Sequence, residues 1–139
     1  MATRGHELIE HTADVGLRVW APTLGELFAE AAVALVDVMG ATAAPPERTE
    51  EVRMDAPDLD ALFVDWLSEV LFLFDARGFV TCAADVRVSS DPWLLDATLE
   101  GAGARSFVAH GPAVKAVTYH GLEVESTAVG YQARVYLDV

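Results

Sequence analysis

The stretch that decides the fold runs from Asp58 to Gly78 and reads "DLDALFVDWLSEVLFLFDARG". Its apolar residues recur at i, i+3, i+4 and i+7, which is typical of an amphipathic α-helix, and Gly78 is a typical helix end. The sequence therefore predicts a helix over Asp58–Arg77. Further apolar residues off the main stripe, among them Phe72, predict that this helix is the central one. The stripe consists of Leu59, Leu62, Phe63, Trp66, Leu67, Val70, Leu71 and Phe74.

A second helix is predicted on the N-terminal side, over Thr23–Met39. The segment "TLGE" places Thr23 and Glu26 at the spacing of a capping box. In this motif the side chain of each residue accepts a hydrogen bond from the backbone N–H of the other. Gly40 follows as a stop signal. The apolar residues between them, from Leu24 to Val38, again follow the helical period.

The remaining segments read as strands that follow one another without helices, so most of them must pair as antiparallel neighbours. The last strand alternates most clearly, with Ala133, Val135, Leu137 and Val139 on one face. The sequence predicts an α+β fold: a two-layer domain with two helices on one mixed, mostly antiparallel sheet. The predicted strands are Glu7–His11, Gly16–Ala21, Glu51–Ala56, Phe79–Val88, Trp93–Glu100, Lys115–Glu125 and Tyr131–Val139.

Within Lys115–Glu125 the alternation changes phase, because Val117 and Tyr119 have a parity that Leu122 and Val124 do not share. An extra residue in one strand of a pair produces this change. The sequence predicts a β-bulge at Gly121.

The composition indicates the size of the domain and the kind of protein. A chain of 139 residues with 53% hydrophobic content is expected to form one domain, residues 1–139, with one core. No apolar run reaches the length of a membrane helix, and the opening "MATRGHELIE" has no apolar signal-peptide core, so a cytoplasmic location without membrane attachment is expected.

The formal net charge of −13 indicates which binding partners the protein favours. An acidic surface repels phosphate backbones, so stable, direct binding to nucleic acid is not expected. Divalent cations or a basic protein partner suit this charge better. The alternative is that the acidity serves only solubility.

The opening "HELIEHTADVG" resembles the zinc-protease pattern H-E-x-x-H, but His6 and His11 are five residues apart instead of four. At that spacing the two rings do not share one face of a helix or of a strand. Cys82 is the only cysteine, which excludes intrachain disulfides and argues against a thiolate zinc site. Zinc is therefore not expected.

A different metal site is predicted from carboxylates near the two ends of the chain. Asp14 lies in the short connection of "HTADVG", and Asp138 lies on the polar face of the final strand, beside the α-carboxylate of Val139. If the last strand runs beside the first hairpin, these oxygens form a cluster that suits calcium or magnesium. The alternative for Asp14 is a hydrogen bond to the backbone of its own turn.

Lys115 is the only lysine and begins "KAVTYHGLEVE". It could form an ion pair or remain solvated, or it could contact a phosphate as a mobile point charge. No nucleophile elbow or Walker motif is present, and "GAGARS" at Gly101–Ser106 favours a loop over a dinucleotide turn because no long helix can follow it. Two further readings stay open: a metal-dependent phosphoester hydrolase with His11 or His120 as general base, and a chaperone-like interaction module for nucleic-acid enzymes.

Four segments in their order along the chain resemble the archease family: "HTADVGLRVWAPTLGELFAEAAVALVDVM", "DLDALFVDWLSEVLFLFD", "VKAVTYHGLEVE" and the terminal "YLDV". The resemblance implies an accessory protein, not an enzyme, that activates a separate GTP-dependent tRNA-splicing RNA ligase by promoting guanylylation of the ligase and its repeated turnover. It also implies that Asp14, Asp138 and the carboxylate of Val139 bind a divalent metal and that Lys115 is the functional basic residue.

Overall fold

The computed structural model describes residues 3–10, 14–40, 45–103 and 111–139. These ranges contain two helices and seven strands, and the bounds agree with the predicted segments to within a few residues. In chain order they are β1 Gly5–Glu10, β2 Asp14–Ala21, α1 Leu24–Val38, β3 Arg48–Ala56, α2 Leu59–Arg77, β4 Phe79–Ser89, β5 Trp93–Gly103, β6 Ala116–Thr127 and β7 Gly130–Asp138.

The strands form two sheets. The four-stranded sheet has the order β1-β2-β7-β6 and the three-stranded sheet the order β3-β5-β4, and every pairing in them is antiparallel. The predicted α+β class with two helices is confirmed, although the sequence predicted one sheet where there are two. Alternation along a strand reports which of its sides is buried, but it carries no information about which strand lies beside it.

Each helix contacts strands of both sheets: α1 contacts β2 and β4, and α2 contacts β6 and β3. The burial of α1 extends around most of its circumference, and small residues allow the sheets to approach it. A Cβ on Gly25 would lie 2.2 Å from the carbonyl oxygen of Val86 in β4. The more enclosed helix is therefore α1, not α2 as the sequence predicted, and Phe72 of α2 is 50% exposed.

The two helices meet through buried aromatic side chains. The rings of Phe28 and Phe63 pack edge to face with centroids 5.1 Å apart, and the indole Nε1–H of Trp66 donates to the carbonyl oxygen of Phe28 at 2.8 Å. All three side chains are fully buried. Burial of side chains of this size stabilises the fold by about 1.5–3 kcal/mol each. The hydrogen bond leaves the buried indole N–H satisfied.

The helix ends are those that the sequence predicted. The backbone N–H of Glu26 donates to the Thr23 hydroxyl at 3.2 Å, which is the N-cap half of the predicted capping box, and the Glu26 carboxylate accepts from the Thr23 hydroxyl at 3.3 Å. Gly78 caps α2 with φ +60°, a left-handed conformation that favours glycine.

The predicted bulge in β6 is also present. Pairing of β6 with β7 is interrupted between Thr118 and Glu123, and Gly121 has φ +66°. As a result Val117, Leu122 and Val124 all pack against the core although their parity differs. By contrast, Gly101–Gly103 continue β5 and do not form the predicted loop; residues 104–106 of that segment lie outside the described ranges.

Candidate metal site at the end of the four-stranded sheet

The register of β2 against β7 brings Asp14 directly opposite Asp138. Directly opposed residues of an antiparallel pair have Cβ atoms about 4.5–5.5 Å apart. Residues that stand at opposite ends of the sequence thus become nearest neighbours across two central strands. We call Asp14 and Asp138 the aspartate pair.

Alternation along the two strands sets the direction of both carboxylates. Leu17 of β2 and Val135 and Leu137 of β7 are fully buried, so their faces of the strands point into the core. Asp14 and Asp138 have the opposite parity and therefore share the outer face of the sheet. Asp138 is exposed and Asp14 is half-buried. The arrangement presents two carboxylates side by side to solvent.

Main-chain contacts hold the end of β7 in place. The backbone N–H of Lys115 donates to the carbonyl oxygen of Asp138 at 2.7 Å, and Ala116 is the partner of Asp138 in β6. The side chain of Val139 packs against the core. Because Val139 follows Asp138 directly, its α-carboxylate lies within one residue of the aspartate pair.

Lys115 has the parity of Val117, which packs against the core, so alternation places its side chain on the helix side of the sheet end. It lines a cleft of about 300 Å³ together with Phe72 and Asp75 of α2. The structure thus brings the main chain of Lys115 next to Asp138 and directs its side chain toward α2. Lys115 and the aspartate pair are close along the backbone but do not form an ion pair in the described part of the chain.

Further along the same outer face, carboxylates do have cationic partners. Arg18 contacts Glu7 at 3.0 Å, and Arg134 contacts Glu123 at 3.1 Å. Neither Asp14 nor Asp138 has such a partner among the residues that the structure describes. Two opposed carboxylates without a cation repel each other, and this donor set fits a hard divalent ion.

No group of three or more His, Cys, Asp or Glu side chains that could hold a metal occurs in residues 3–10, 14–40, 45–103 and 111–139. The aspartate pair supplies only two side chains, so further ligands must be main-chain oxygens, water or groups of another molecule. Magnesium commonly binds through one or two carboxylates with water and phosphate oxygens completing its shell. The pair therefore fits a site that is open toward a partner.

The histidines do not supply a general base to this pair in the described chain. His120 is exposed in the bulge of β6 and its ring lies 6.3 Å from that of Tyr136, while Ala116, four residues away, is the residue beside Asp138. His11 lies outside the described residues. Burial raises the pKa of the Cys82 thiol, which disfavours the nucleophilic thiolate.

His6 has a role that the sequence did not reveal. Its Nδ1 bonds the carboxylate of Glu30 and its Nε2 lies 2.9 Å from the carboxylate of Asp37, and Arg4 also contacts Glu30, at 2.6 Å. This His6 cluster, formed by Arg4, His6, Glu30 and Asp37, attaches β1 to α1. The local spacing of His6 and His11 could not indicate it, since the partners of His6 are more than twenty residues away.

No helix in the described ranges combines the length and apolarity needed to cross a lipid bilayer.

The sequence profile of the Archease protein family matches residues 6–139 of this chain. Protein archease of Methanosarcina mazei is 36% identical, with 96% of this chain and 95% of the relative aligned, and that of Pyrobaculum neutrophilum is 34% identical over 94% and 92%. The solution structure of Methanobacterium thermoautotrophicum protein 1598 superposes with a TM-score of 0.79 at 29% identity, covering 97% of this chain and 99% of that one. The crystal structure of a Thermotoga maritima protein, described as an archease and possible chaperone, superposes with a TM-score of 0.66 at 22% identity, covering 94% of each chain.

Proposed function

The chain belongs to the archease family, and from this premise we propose that it is an accessory protein that activates a separate GTP-dependent tRNA-splicing RNA ligase. In this role it performs no ligation itself and promotes guanylylation and repeated turnover of the ligase. The observation that carries the proposal is the register that opposes Asp14 and Asp138 on an outer sheet face. Because Asp138 is exposed, a partner protein can reach the site from solvent.

The aspartate pair and the α-carboxylate of Val139 would hold a calcium- or magnesium-type ion. When bound, such an ion supplies positive charge for phosphate oxygens. The opposed carboxylates hold their oxygens on one face, and the rigid central strands β2 and β7 keep them there without a loop movement. The main-chain hydrogen bond from Lys115 to Asp138 fixes the end of β7 against β6.

Lys115 would contribute from the α2 side of the same sheet end. Its ammonium group is a mobile point charge that can meet a phosphate or a carboxylate of the partner. Because it does not neutralise the aspartate pair in the described chain, both charges remain available to another molecule. The net charge of −13 favours approach to a basic ligase surface and disfavours competition for RNA.

The test is a guanylylation assay with the RNA ligase of the same organism, GTP and a divalent cation, run under single and multiple turnover. We expect Asp14→Asn, Asp138→Asn and Lys115→Met each to reduce stimulation of multiple turnover by about tenfold or more, since each removes about 1.4 kcal/mol or more of charge stabilisation. Asp85→Asn, at an exposed position of β4 on the other sheet, is the matched control and should stimulate like the wild type. Full stimulation by Asp14→Asn and Asp138→Asn would refute the site.

A second candidate function is a chaperone-like module for nucleic-acid enzymes, favoured by the exposed aromatic side chains Phe72 and Tyr119. It predicts that the protein prevents aggregation of several unrelated enzymes and that Asp14→Asn has no effect on this. Light scattering of heated client enzymes separates the two functions, because the ligase activator should protect none of them.

A further inference from the structure

The junction of α2 with β6 carries an unusual surface. The large apolar side chains exposed in the described chain are Leu8, Phe72, Leu94, Tyr119 and Val129, and the aromatic ones are on these two elements. Phe72 of α2 is 50% exposed and Tyr119 of β6 is 59% exposed. Helix α2 packs against β6, and Phe72 lines a cleft with residues 115–117. Tyr119 lies within electrostatic reach of Asp65, so both rings lie along the boundary between α2 and β6.

The solvent-facing residues of α2 are arranged to form one side of this surface. Asp65, Ser68, Phe72 and Asp75 are all exposed and recur at i, i+3, i+7 and i+10, which places them on one stripe of the helix. Ser68, Phe72 and Asp75 line the cleft of about 300 Å³ whose opposite wall is formed by Lys115, Ala116 and Val117. We call the surface formed by Asp65, Ser68, Phe72, Asp75, Lys115 and Tyr119 the α2–β6 seam.

The cleft in the seam has an apolar floor and a charged rim. Leu71 is buried and Val117 packs against the core, so the floor offers apolar contacts beside the Phe72 ring. The rim carries Asp75 on one side and Lys115 on the other. An apolar floor that accepts one side chain, surrounded by polar groups, is the usual form of an anchor pocket in a protein interface.

The seam as a whole is negative. Desolvation of the phenol raises the pKa of Tyr119, and the negative charges of Asp65, Asp58 and Asp60 raise it further. The seam itself contains two carboxylates, Asp65 and Asp75, against the ammonium of Lys115, and Asp58 and Asp60 add negative charge beside Tyr119. Such a field attracts a basic partner and repels a nucleotide, whose phosphates would meet only one cation there.

From this combination we propose that the α2–β6 seam is a docking surface for a basic polypeptide segment of the partner enzyme, one that presents apolar side chains between arginines or lysines. An apolar side chain fills the cleft beside Phe72, a second contacts Tyr119, and the flanking cations pair with Asp65 and Asp75. The inference rests on the proposed function, in that the partner is the enzyme being activated. Lys115 connects the two surfaces, since its side chain lines the cleft and its backbone N–H bonds Asp138.

The test uses a probe that requires neither the enzyme nor a metal. The peptide acetyl-Arg-Phe-Arg-Gly-Gly-Gly-Arg-Phe-Arg-amide is titrated into the isotope-labelled full chain, and amide chemical shifts locate the contact. We expect saturable shifts in the segments around Phe72, Lys115 and Tyr119. A peptide of equal charge with serine in place of both phenylalanines should bind at least about tenfold more weakly.

Variants then assign the contact to the rings. The double variant Phe72→Ser with Tyr119→Ser should weaken binding of the phenylalanine peptide about tenfold or more, whereas Leu94→Ser, which removes an exposed apolar side chain from the other sheet, should change it less than about twofold. Unchanged melting temperatures of both variants establish that they are folded, as expected for exposed positions.

Three results would overturn the docking surface: shifts confined to other parts of the chain, equal binding of the serine peptide, or saturable shifts in the seam on addition of GTP, which would make it a nucleotide site. The outcome is separable from that of the proposed function. If the peptide does not bind, the docking surface is wrong, and the proposed function is still tested by ligase stimulation with Asp14→Asn. If Asp14→Asn loses ligase stimulation, it should still bind the peptide.

Discussion

Two groups of carboxylates differ in how their charge is balanced: one lies on α1 beside β1, and the other lies at the end of the four-stranded sheet. In the His6 cluster, Glu30 accepts from both Arg4 and His6, and its side chain is 12% exposed. In the aspartate pair, Asp14 and Asp138 face each other across β2 and β7 without a cationic partner in the described chain.

The difference shows how the same chemical group serves structure in one place and is suited to binding in another. Burial alone would raise the pKa of Glu30, but hydrogen bonds from His6 and Arg4 outweigh burial and lower the pKa below its ordinary value of 4.5. A carboxylate that is already paired stabilises the fold and has little to offer a ligand. Two carboxylates without a cationic partner at a rigid sheet end add little to stability and remain free to bind a cation.

The largest expected effect is stabilisation of the wild type by a divalent cation. At a free calcium or magnesium concentration of roughly 100 times Kd, binding to the folded state should add about 2.7 kcal/mol to the free energy of unfolding, or roughly 5–10 °C in Tm. Asp14→Asn and Asp138→Asn should abolish the shift and Glu30→Gln should retain it. An equal shift in the aspartate variants, measured by thermal unfolding, would place the cation elsewhere.

The second effect concerns the His6 cluster. Glu30→Gln should lower the free energy of unfolding by about 1–3 kcal/mol, because it removes charge-assisted hydrogen bonds from Arg4 and His6 to a mostly buried carboxylate. Urea unfolding near neutral pH measures it. Arg18→Ala, which removes an exposed ion pair with Glu7, is the control and should cost less than about 1 kcal/mol.

The same variant has a defined pH dependence. Since the pKa of folded Glu30 is lowered, its stabilising contribution is present above about pH 4.5 and is lost as the pH falls through the folded value. The difference between wild type and Glu30→Gln should therefore shrink below about pH 4.5. A difference that grows with falling pH would contradict the assigned ion pairs.

The smallest expected effect is an increase in the free energy of unfolding, not a decrease. Without divalent cations, Asp14→Asn should stabilise the protein by about 0.2–1 kcal/mol, because like charges directly opposite each other in an antiparallel pair are destabilising. Urea unfolding in the presence of a chelator measures this difference. Destabilisation by Asp14→Asn under those conditions would mean that the Asp14 carboxylate is already compensated, as Glu30 is.

Much of the local structure was predictable because its causes are local. The N-cap at Thr23, the stop at Gly78 and the bulge at Gly121 each depend on residues within a few positions, and the structure confirms all three. Helix environment was less predictable. The apolar stripe of α2 suggested a central helix, but α1, with its small residues, is the one that both sheets enclose.

The candidate site was predictable in its residue types and not in its geometry. The proposal of Asp14 with Asp138 depended on β7 running beside β2, which the register of the sheet now provides. The carboxylate partners of His6 and the position of Lys115 in the same cleft as Phe72 had no sequence signal. Contacts between residues so distant in sequence depend on strand order, and the apolar pattern of a single strand does not indicate which strand lies beside it.

By itself, the sequence determined the secondary structure, the buried face of each strand and the acidic character of the surface, since these follow from side-chain chemistry at short spacing. Only the tertiary structure decided that the strands form two sheets, that α1 is the enclosed helix, and that, among the residues described, one group of carboxylates contacts basic side chains while the other does not. The physical reason is that the charge around a carboxylate depends on every neighbour in space, and most of those neighbours are supplied by distant parts of the chain.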